Sequence, residues 1–158
     1  MTTPIQTIAP VLLAFEKLPF IVWLKSNALV YPALETIHIT GIALVLGVMI
    51  VVDSRLLGLH RKLDLALVKS VLLPWVLVGF SICAITGLLM FASRASDLIA
   101  NRAFVIKLIL LMLAGTNAGI LHTRGKLDDA DWATKMLALI SLLIWLAVVT
   151  AGRWIAYP

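Results

Sequence analysis

The sequence predicts an all-α fold, an integral membrane four-helix bundle with an additional N-terminal interfacial amphipathic helix. The 158 residues are 62% hydrophobic and 13% charged, whereas soluble domains average about 45–50% apolar and about 25% charged residues. Four apolar runs, 31–52, 71–92, 103–121 and 133–156, are each close to the roughly 20 residues that cross a bilayer. Backbone groups in lipid must be satisfied within the segment, so these runs are expected to be helices.

A fifth apolar run, 8–24, is short and contains Glu16, Lys17 and Pro19. These residues favour a helix that lies in the membrane interface, with Trp23 at the depth of the lipid headgroups. The chain therefore divides into an N-terminal interfacial helix, 1–30, and a four-span bundle, 31–158. A fifth span is the alternative.

The basic residues predict the orientation. We call the face where the first span begins side A and the opposite face side B. Side B carries seven basic residues, namely Arg55, Arg61, Lys62, Lys69, Arg124, Lys126 and Lys135. Side A carries five, namely Lys17, Lys25, Arg94, Arg102 and Arg153. Because cytoplasmic loops are enriched in Lys and Arg, side B is predicted to be cytoplasmic. In a bacterial inner (cytoplasmic) membrane, both termini of this multi-pass protein would be periplasmic. The scattered basic residues predict no nucleic-acid surface.

Ionisable residues inside the spans are the candidate site, because a charge at membrane depth costs at least roughly 2.5–3.5 kcal/mol. They are Glu35, His38, Lys107 and Arg153. At the helical rise, His38 lies about 10 Å from side A, and Lys107 and Arg153 each lie about 7 Å from it. Three helices are thus expected to bring these side chains to one layer near side A.

Two interpretations of this layer stay open. Glu35 could pair with Lys107 or Arg153 and only connect helices, the two cations could extend to the interface, and His38 could be a satisfied core histidine. Alternatively, the neutral imidazole of His38 could bind haem iron or copper, as histidine commonly does. Cys83 is expected to be an inert packing residue.

The polar residues on side B are expected to have structural roles and to form no cofactor or metal site. His60 and His122 are expected to be ordinary loop or helix-end histidines, and His38 and His122 differ in depth by about 18 Å, which excludes a single haem held by both. Asp53 and Arg55 are expected to form an ion pair at the interface. Asn117 lies within a Gly115-x-x-x-Gly119 stretch, a pattern that favours close helix packing with an interhelical hydrogen bond from the amide.

Several motifs resemble an uncharacterised bacterial four-helix membrane family. They are 31–41 (YPALETIHITG), 53–58 (DSRLLG), 101–107 (NRAFVIK), Asn117, His122 and 151–157 (AGRWIAY). The layout is more distantly similar to the copper-resistance D membrane proteins and the HemJ-type protoporphyrinogen oxidases. The latter bind b-type haem and have a histidine on the first span and a lysine near the start of the third, which His38 and Lys107 match. This resemblance implies a haem or metal near side A, and the oxidase activity is not carried over.

The leading hypothesis is a b-type haem-binding redox or electron-transfer protein with its site near the outer face. His38 would be the haem and metal ligand, and Glu35, Lys107 and Arg153 would orient it or contact the haem propionates. The first alternative is a copper-binding or copper-transport protein using Glu35 and His38, with Met49 deeper. The second is a non-enzymatic accessory subunit of a membrane complex. A homo-oligomer and a redox partner are expected, and no catalytic residue is assigned.

Overall fold

The chain folds almost entirely into helices. The computed structural model describes residues 4–60, 62–125 and 130–157, and no strand occurs among them. Arg61 and Lys126, two of the basic residues that the sequence places on side B, lie outside these residues. The helices are α1 (Pro4–Glu16), α2 (Pro19–Ser26), α3 (Val30–Leu56), α4 (Val68–Ser93), α5 (Ala95–Ala100), α6 (Arg102–Arg124) and α7 (Trp132–Trp154). A single turn, Leu65–Leu67, precedes α4, and the first turn of α4, Val68–Leu72, is a π-helix.

Four helices are long and apolar enough to cross a membrane. Helices α3, α4, α6 and α7 contain 27, 26, 23 and 23 residues, which corresponds to about 35–40 Å, more than the roughly 30 Å hydrocarbon core. Large apolar side chains remain exposed on each of them, for example Ile39, Leu77, Met112 and Leu143. Lipid would cover such side chains, and the predicted all-α, four-span membrane architecture is confirmed.

Helix α3 continues one turn further than predicted, to Leu56, and therefore includes Asp53. The end is set by Gly58, whose φ of 91° is readily adopted only by glycine. The Gly58 N–H donates to the Arg55 carbonyl oxygen, and the Leu59 N–H donates to the Ser54 carbonyl oxygen. These two bonds form a Schellman motif, so backbone geometry rather than the first charged residue terminates the span.

Helices α3 and α4 cross at a pair of glycines. A Cβ atom at Gly41 would lie 2.8 Å from the Cys83 sulfur and 3.0 Å from the Gly79 carbonyl oxygen. A Cβ atom at Gly79 would lie 2.9 Å from Val45 Cγ2. The two backbones therefore touch here, which is the close approach that small residues permit in membrane helices.

The four spans form three packed pairs and leave one gap. Helix α3 packs against α4 and α7, and α6 packs against α7. Among the described residues, α4 and α6 have no direct backbone packing, but Phe91 and Phe104 stack between them with ring centroids 5.5 Å apart. The side chain of Asn101 accepts the N–H groups of the first turn of α6 and donates to the Ile155 carbonyl oxygen, joining α6 to the end of α7.

An apolar core fills the half of the bundle nearer side B. Its buried members come from α3, α4, α6 and α7, and they are Val48, Val52, Leu56, Val68, Leu121 and Ala138. Helices α6 and α7 are joined at this end by Arg124, which donates to the Asp131 carboxylate at 2.7 Å. Asp131 also caps α7 by accepting the Thr134 N–H. Side B is thus packed with apolar side chains, whereas the polar side chains near side A surround the gap between α4 and α6.

The N-terminal segment forms two helices rather than the single predicted one, because the chain breaks before Pro19. Proline suits the first turn of a helix and not its interior, so a new helix begins there. Ile21 and Leu24 are buried at 4% and 2% exposure, while the Trp23 side chain is exposed. This alternation makes α2 amphipathic, with one face on the bundle and one face outward.

Candidate functional site

His38 lies half-buried on α3 and faces α4. Its Nδ1 atom is 2.8 Å from the hydroxyl oxygen of Thr86, which is itself buried. The Thr86 hydroxyl has one hydrogen, and that hydrogen is donated to the Ile82 carbonyl oxygen at 2.6 Å. The Thr86 oxygen must therefore accept, so Nδ1 of His38 carries the proton and Nε2 carries the lone pair.

The Nε2 atom of His38 is accessible and can accept a hydrogen bond or bind a metal. It has no hydrogen-bond partner among the described residues, and it is not among the buried polar atoms that lack one. The atom can therefore be reached from the surface of the bundle. A ring with one nitrogen fixed by a neighbour and the other nitrogen available is the usual arrangement of a metal-binding histidine.

Gly87 on α4 leaves room for the imidazole of His38 to pack against the backbone of this helix. A Cβ atom at Gly87 would lie 3.3 Å from Cε1 and 3.8 Å from Nδ1 of His38. The first distance is tighter than ordinary carbon contacts, so a side chain here would displace the ring. The absence of a side chain at this position thus positions His38 against α4.

Cys83 is a neighbour of His38 that sequence reasoning did not connect to the site. Its thiol is 3.6 Å from the His38 carbonyl oxygen, to which it donates. Gly79, Cys83, Thr86 and Gly87 follow one another at intervals of four, three and one residues, so they share one face of α4. This stripe of small residues was the available signal, since it predicts the face that approaches α3.

Lys107 reaches the same region from α6. Its ammonium nitrogen would be 3.5 Å from a Cβ atom at Gly152, so the side chain lies over a bare stretch of α7. It lies near both His38 and Cys83. No carboxylate among the described residues forms an ion pair with it. Within the described residues, Lys107 is therefore a half-buried cation without a counter-ion, near the imidazole of His38.

We call this gap between α4 and α6 the side-A cleft. It is defined by His38, Cys83, Thr86, Gly87, Lys107 and Gly152. The stacked rings of Phe91 and Phe104 bridge the two helices at its end nearer side A. Side chains or bare backbone of all four spans thus contribute to this polar region.

Two predicted site residues lie apart from this cleft. Glu35 is exposed and makes no hydrogen bond or ion pair with any described residue. Arg153 is also exposed, donates to the Tyr157 hydroxyl at 2.8 Å, and has its guanidinium 5.1 Å from the centroid of that ring. The ion pair that Glu35 could form with Lys107 or Arg153 is therefore not observed among the described residues.

The side-B expectations have mixed outcomes. The predicted ion pair of Asp53 with Arg55 is wrong for the described residues, because Arg55 donates to the Leu63 carbonyl oxygen instead. The predicted interhelical bond of Asn117 is confirmed, since its amide donates to the Leu137 carbonyl oxygen of α7 at 3.2 Å. The close packing expected at Gly115 is not observed, because a Cβ atom there would meet nothing within 4 Å.

The remaining predicted contributors are similarly dispersed. His60 and His122 are exposed at side B, and Gly119, like Gly115, has open space around it. Met49 is buried in α3 on the side-B side of Gly41. None of these residues extends the side-A cleft.

The donor atoms of the cleft favour a group that brings most of its own ligands. No three His, Cys, Asp or Glu side chains cluster as a metal site within residues 4–60, 62–125 and 130–157. A bare transition metal takes several protein ligands, whereas haem iron has four porphyrin nitrogens and needs one axial side chain. The free Nε2 of His38 can supply that one bond, and the His38 ring and the Lys107 side chain lie directly against the bare backbone of Gly87 and Gly152. By the number of donor atoms, the described residues therefore suit one axial bond to haem iron better than the ligand set of a bare metal ion.

The Thr86 contact predicts a tautomer that can be measured. In ¹⁵N-histidine NMR spectra at mildly alkaline pH, where histidine is neutral, His38 should show the Nδ1–H tautomer. Thr86→Ser keeps the hydroxyl and should keep this signature. Thr86→Val removes the acceptor and should convert His38 to a mixture of tautomers. An unchanged His38 signal in Thr86→Val would contradict the contact.

Comparison with known proteins identifies the family. The chain belongs to DUF6644, a family of unknown function, whose model matches residues 18–158. The match covers both halves of the side-A cleft and begins just before α2. No curated protein and no solved structure matches the chain.

Proposed function

We propose that this protein is a b-type haem-binding redox or electron-transfer protein of the membrane, with His38 as the axial ligand. The observation that carries the proposal is the state of the imidazole. One nitrogen contacts Thr86, and among the described residues neither the other nitrogen nor the nearby Lys107 ammonium has a hydrogen-bond or ion-pair partner. Bound haem would supply one-electron transfer, which none of the described side chains provides.

Each residue of the cleft has a role in this proposal. The Thr86 oxygen accepts a hydrogen bond from Nδ1–H of His38, which leaves the lone pair on Nε2, the atom that would bind the iron. The Lys107 ammonium offers a cation to a propionate, a charge-assisted pairing that gains strength in a low-dielectric site. Arg153 follows Gly152 on α7 and is the next cation towards side A. Its predicted contact with a propionate would require the guanidinium to turn away from Tyr157, to which it now donates.

The predicted role of Glu35 has the weakest support, because its carboxylate is exposed and without a partner among the described residues. A copper site built on Glu35 and His38 has the same weakness. Copper thus becomes an outcome of the test, and the accessory-subunit hypothesis becomes the outcome in which no cofactor is found.

The orientation is part of the proposal. The excess of basic residues on side B supports a cytoplasmic side B in a bacterial inner membrane, with the side-A cleft near the outer face. The homo-oligomer and the redox partner stay predictions. The exposed glycines of α6 at 115 and 119 are compatible with a second copy.

The test is an absorption spectrum with metal analysis on one purified sample. Protein from a haem-replete host should show a Soret band that His38→Ala removes. His122→Ala, at the exposed opposite end of α6, should leave the band unchanged. Folded protein without colour, or a band that survives in His38→Ala, would refute the proposal, and copper without porphyrin would replace it.

A further inference from the structure

Asp53 is a second polar site, far from the side-A cleft. Its exposure is 0%, and it lies on α3 one turn before the helix ends at side B. Its neighbours in the chain, Val52 and Leu56, belong to the apolar core. A carboxyl group is therefore enclosed where the bundle is otherwise packed with aliphatic side chains.

The carboxyl group has no adequate partner. Neither oxygen has a hydrogen bond to a described residue. Ser141 of α7 faces the group across the helix interface, but without the geometry of a normal hydrogen bond. The charged side chains at this end of the bundle are Arg55 on α3, Lys62 and Asp64 in the loop before α4, Lys69 on α4, Arg124 on α6, and Asp131 and Lys135 at the start of α7. Neither Arg55, Arg124 nor Lys135 forms a hydrogen bond or an ion pair with the Asp53 carboxyl group.

This environment favours the neutral, protonated form of the Asp53 carboxyl group. Burying an ionised carboxylate without a partner is so costly that the group takes up a proton instead. Ionisable residues inside membrane spans are rare, and they are commonly found in proton relays and ion pathways. Burying a polar group without a hydrogen bond is unfavourable, so Asp53 is a candidate for a role other than packing.

We propose that Asp53 is a proton-binding site that holds a proton at rest and exchanges it with side B when the contact between α3 and α7 opens. The site is independent of the haem proposal. It lies 15 residues from His38 along α3, or about 22 Å. Val45, Val48 and Met49, all buried, separate the two positions.

Infrared spectroscopy of the protein in lipid nanodiscs tests the site. At pH 7 the wild type should show the C=O band of a protonated carboxyl group, and Asp53→Asn should lose it. Asp97→Asn is the matched control, because the Asp97 side chain is 70% exposed. This variant should keep the band and lose only absorption from an ionised carboxylate.

The outcomes are separable without any cofactor. The absence of a protonated-carboxyl band from the wild type at pH 7 would overturn the proposal even if Asp53→Asn fails to fold. A band that persists in folded Asp53→Asn would also overturn it. A band that disappears on addition of sodium would show that a metal cation occupies the site. In a redox variant such as His38→Ala the band should be unchanged, which distinguishes failure of this site from failure of the haem site.

Discussion

Gly41→Ala is expected to destabilise the bundle by about 1–3 kcal/mol, the usual cost of forcing extra atoms into a packed interior. The new methyl group would lie 2.8 Å from the Cys83 sulfur and 3.0 Å from the backbone oxygen of Gly79. A backbone atom cannot move aside like the end of a flexible side chain, so α3 and α4 must separate. The free energy of unfolding in mixed micelles measures this effect.

Gly47→Ala is the matched control on the same helix. A Cβ atom at Gly47 would meet nothing within 4 Å, so this variant should be unchanged or more stable by up to about 1 kcal/mol, because alanine favours the helix. The Thr86 contact of His38 should loosen in Gly41→Ala and not in Gly47→Ala. Equal stability of the two variants would show that the crossing does not depend on Gly41.

The same crossing explains which site residues the sequence could predict. Counting residues along a span fixes the depth of a side chain, and on this basis the sequence placed His38 and Lys107 in one layer. Depth leaves the rotation of the helix undetermined. Gly41 faces α4, and at about 100° per residue His38 lies about 60° from it and Glu35 about 120° from it. Glu35 therefore turns out of the interface that His38 enters.

Arg153 shows the same limit on α7. Gly152 faces Lys107, and the next residue is rotated by about 100°. The Arg153 guanidinium consequently leaves the cleft and pairs with Tyr157 at the end of the helix. Residues without a functional group, such as Gly87 and Gly152, proved as informative about the cleft as the charged residues, because they mark where another group lies against the backbone.

Hydropathy predicted the four spans but misplaced the end of the first. A charged residue usually ends an apolar run, and the sequence for that reason predicts that the span ends at 52 and that Asp53 lies at the interface. In the structure the span ends at the Schellman motif around Gly58, so Asp53 stays inside the helix. The sequence could not distinguish an interfacial Asp53–Arg55 pair from a buried carboxyl group, because the partner of Arg55 is a backbone oxygen eight residues further on.

Helix α3 thus connects two polar positions of different character. His38 is half-buried, has a partner on one nitrogen, and is reached from the cleft. Asp53 is fully buried and is without a hydrogen bond to the described residues. The apolar core between them separates the cleft from side B. The proposed haem site at His38 and the proposed proton-binding site at Asp53 would therefore be independent of each other.

Glu16→Gln is expected to release the N-terminal helices from the bundle. The Glu16 carboxylate accepts the N–H and the hydroxyl of Ser96 in α5 at 2.8 Å and 2.7 Å, and its other oxygen pairs with Lys25 in α2. Hydrogen bonds to a charged group contribute about 1.5–3 kcal/mol, and the lower value applies because Lys25 is 38% exposed and partly screened. Amide protection in α2 should fall about tenfold, equivalent to about 1.4 kcal/mol.

The pH dependence of this contact has a definite sign. The hydrogen bond from Lys25, followed by those from Ser96, lowers the pKa of Glu16 from 4.5 to about 2. A carboxyl group with a lowered pKa contributes its full stabilisation above its unfolded value and loses it on protonation. Amide protection of α2, corrected for intrinsic exchange, should therefore decline as the pH falls from about 4.5 to 2 in the wild type.

Glu35→Gln is the control, because it alters an exposed carboxylate without a partner among the described residues. In this variant the amide protection of α2 should decline with acid as in the wild type, whereas in Glu16→Gln it should be low at every pH. A wild type in which acid does not change the amide protection of α2 would contradict the contact, because the contact of Glu16 with Ser96 and Lys25 should be lost when the Glu16 carboxylate is protonated.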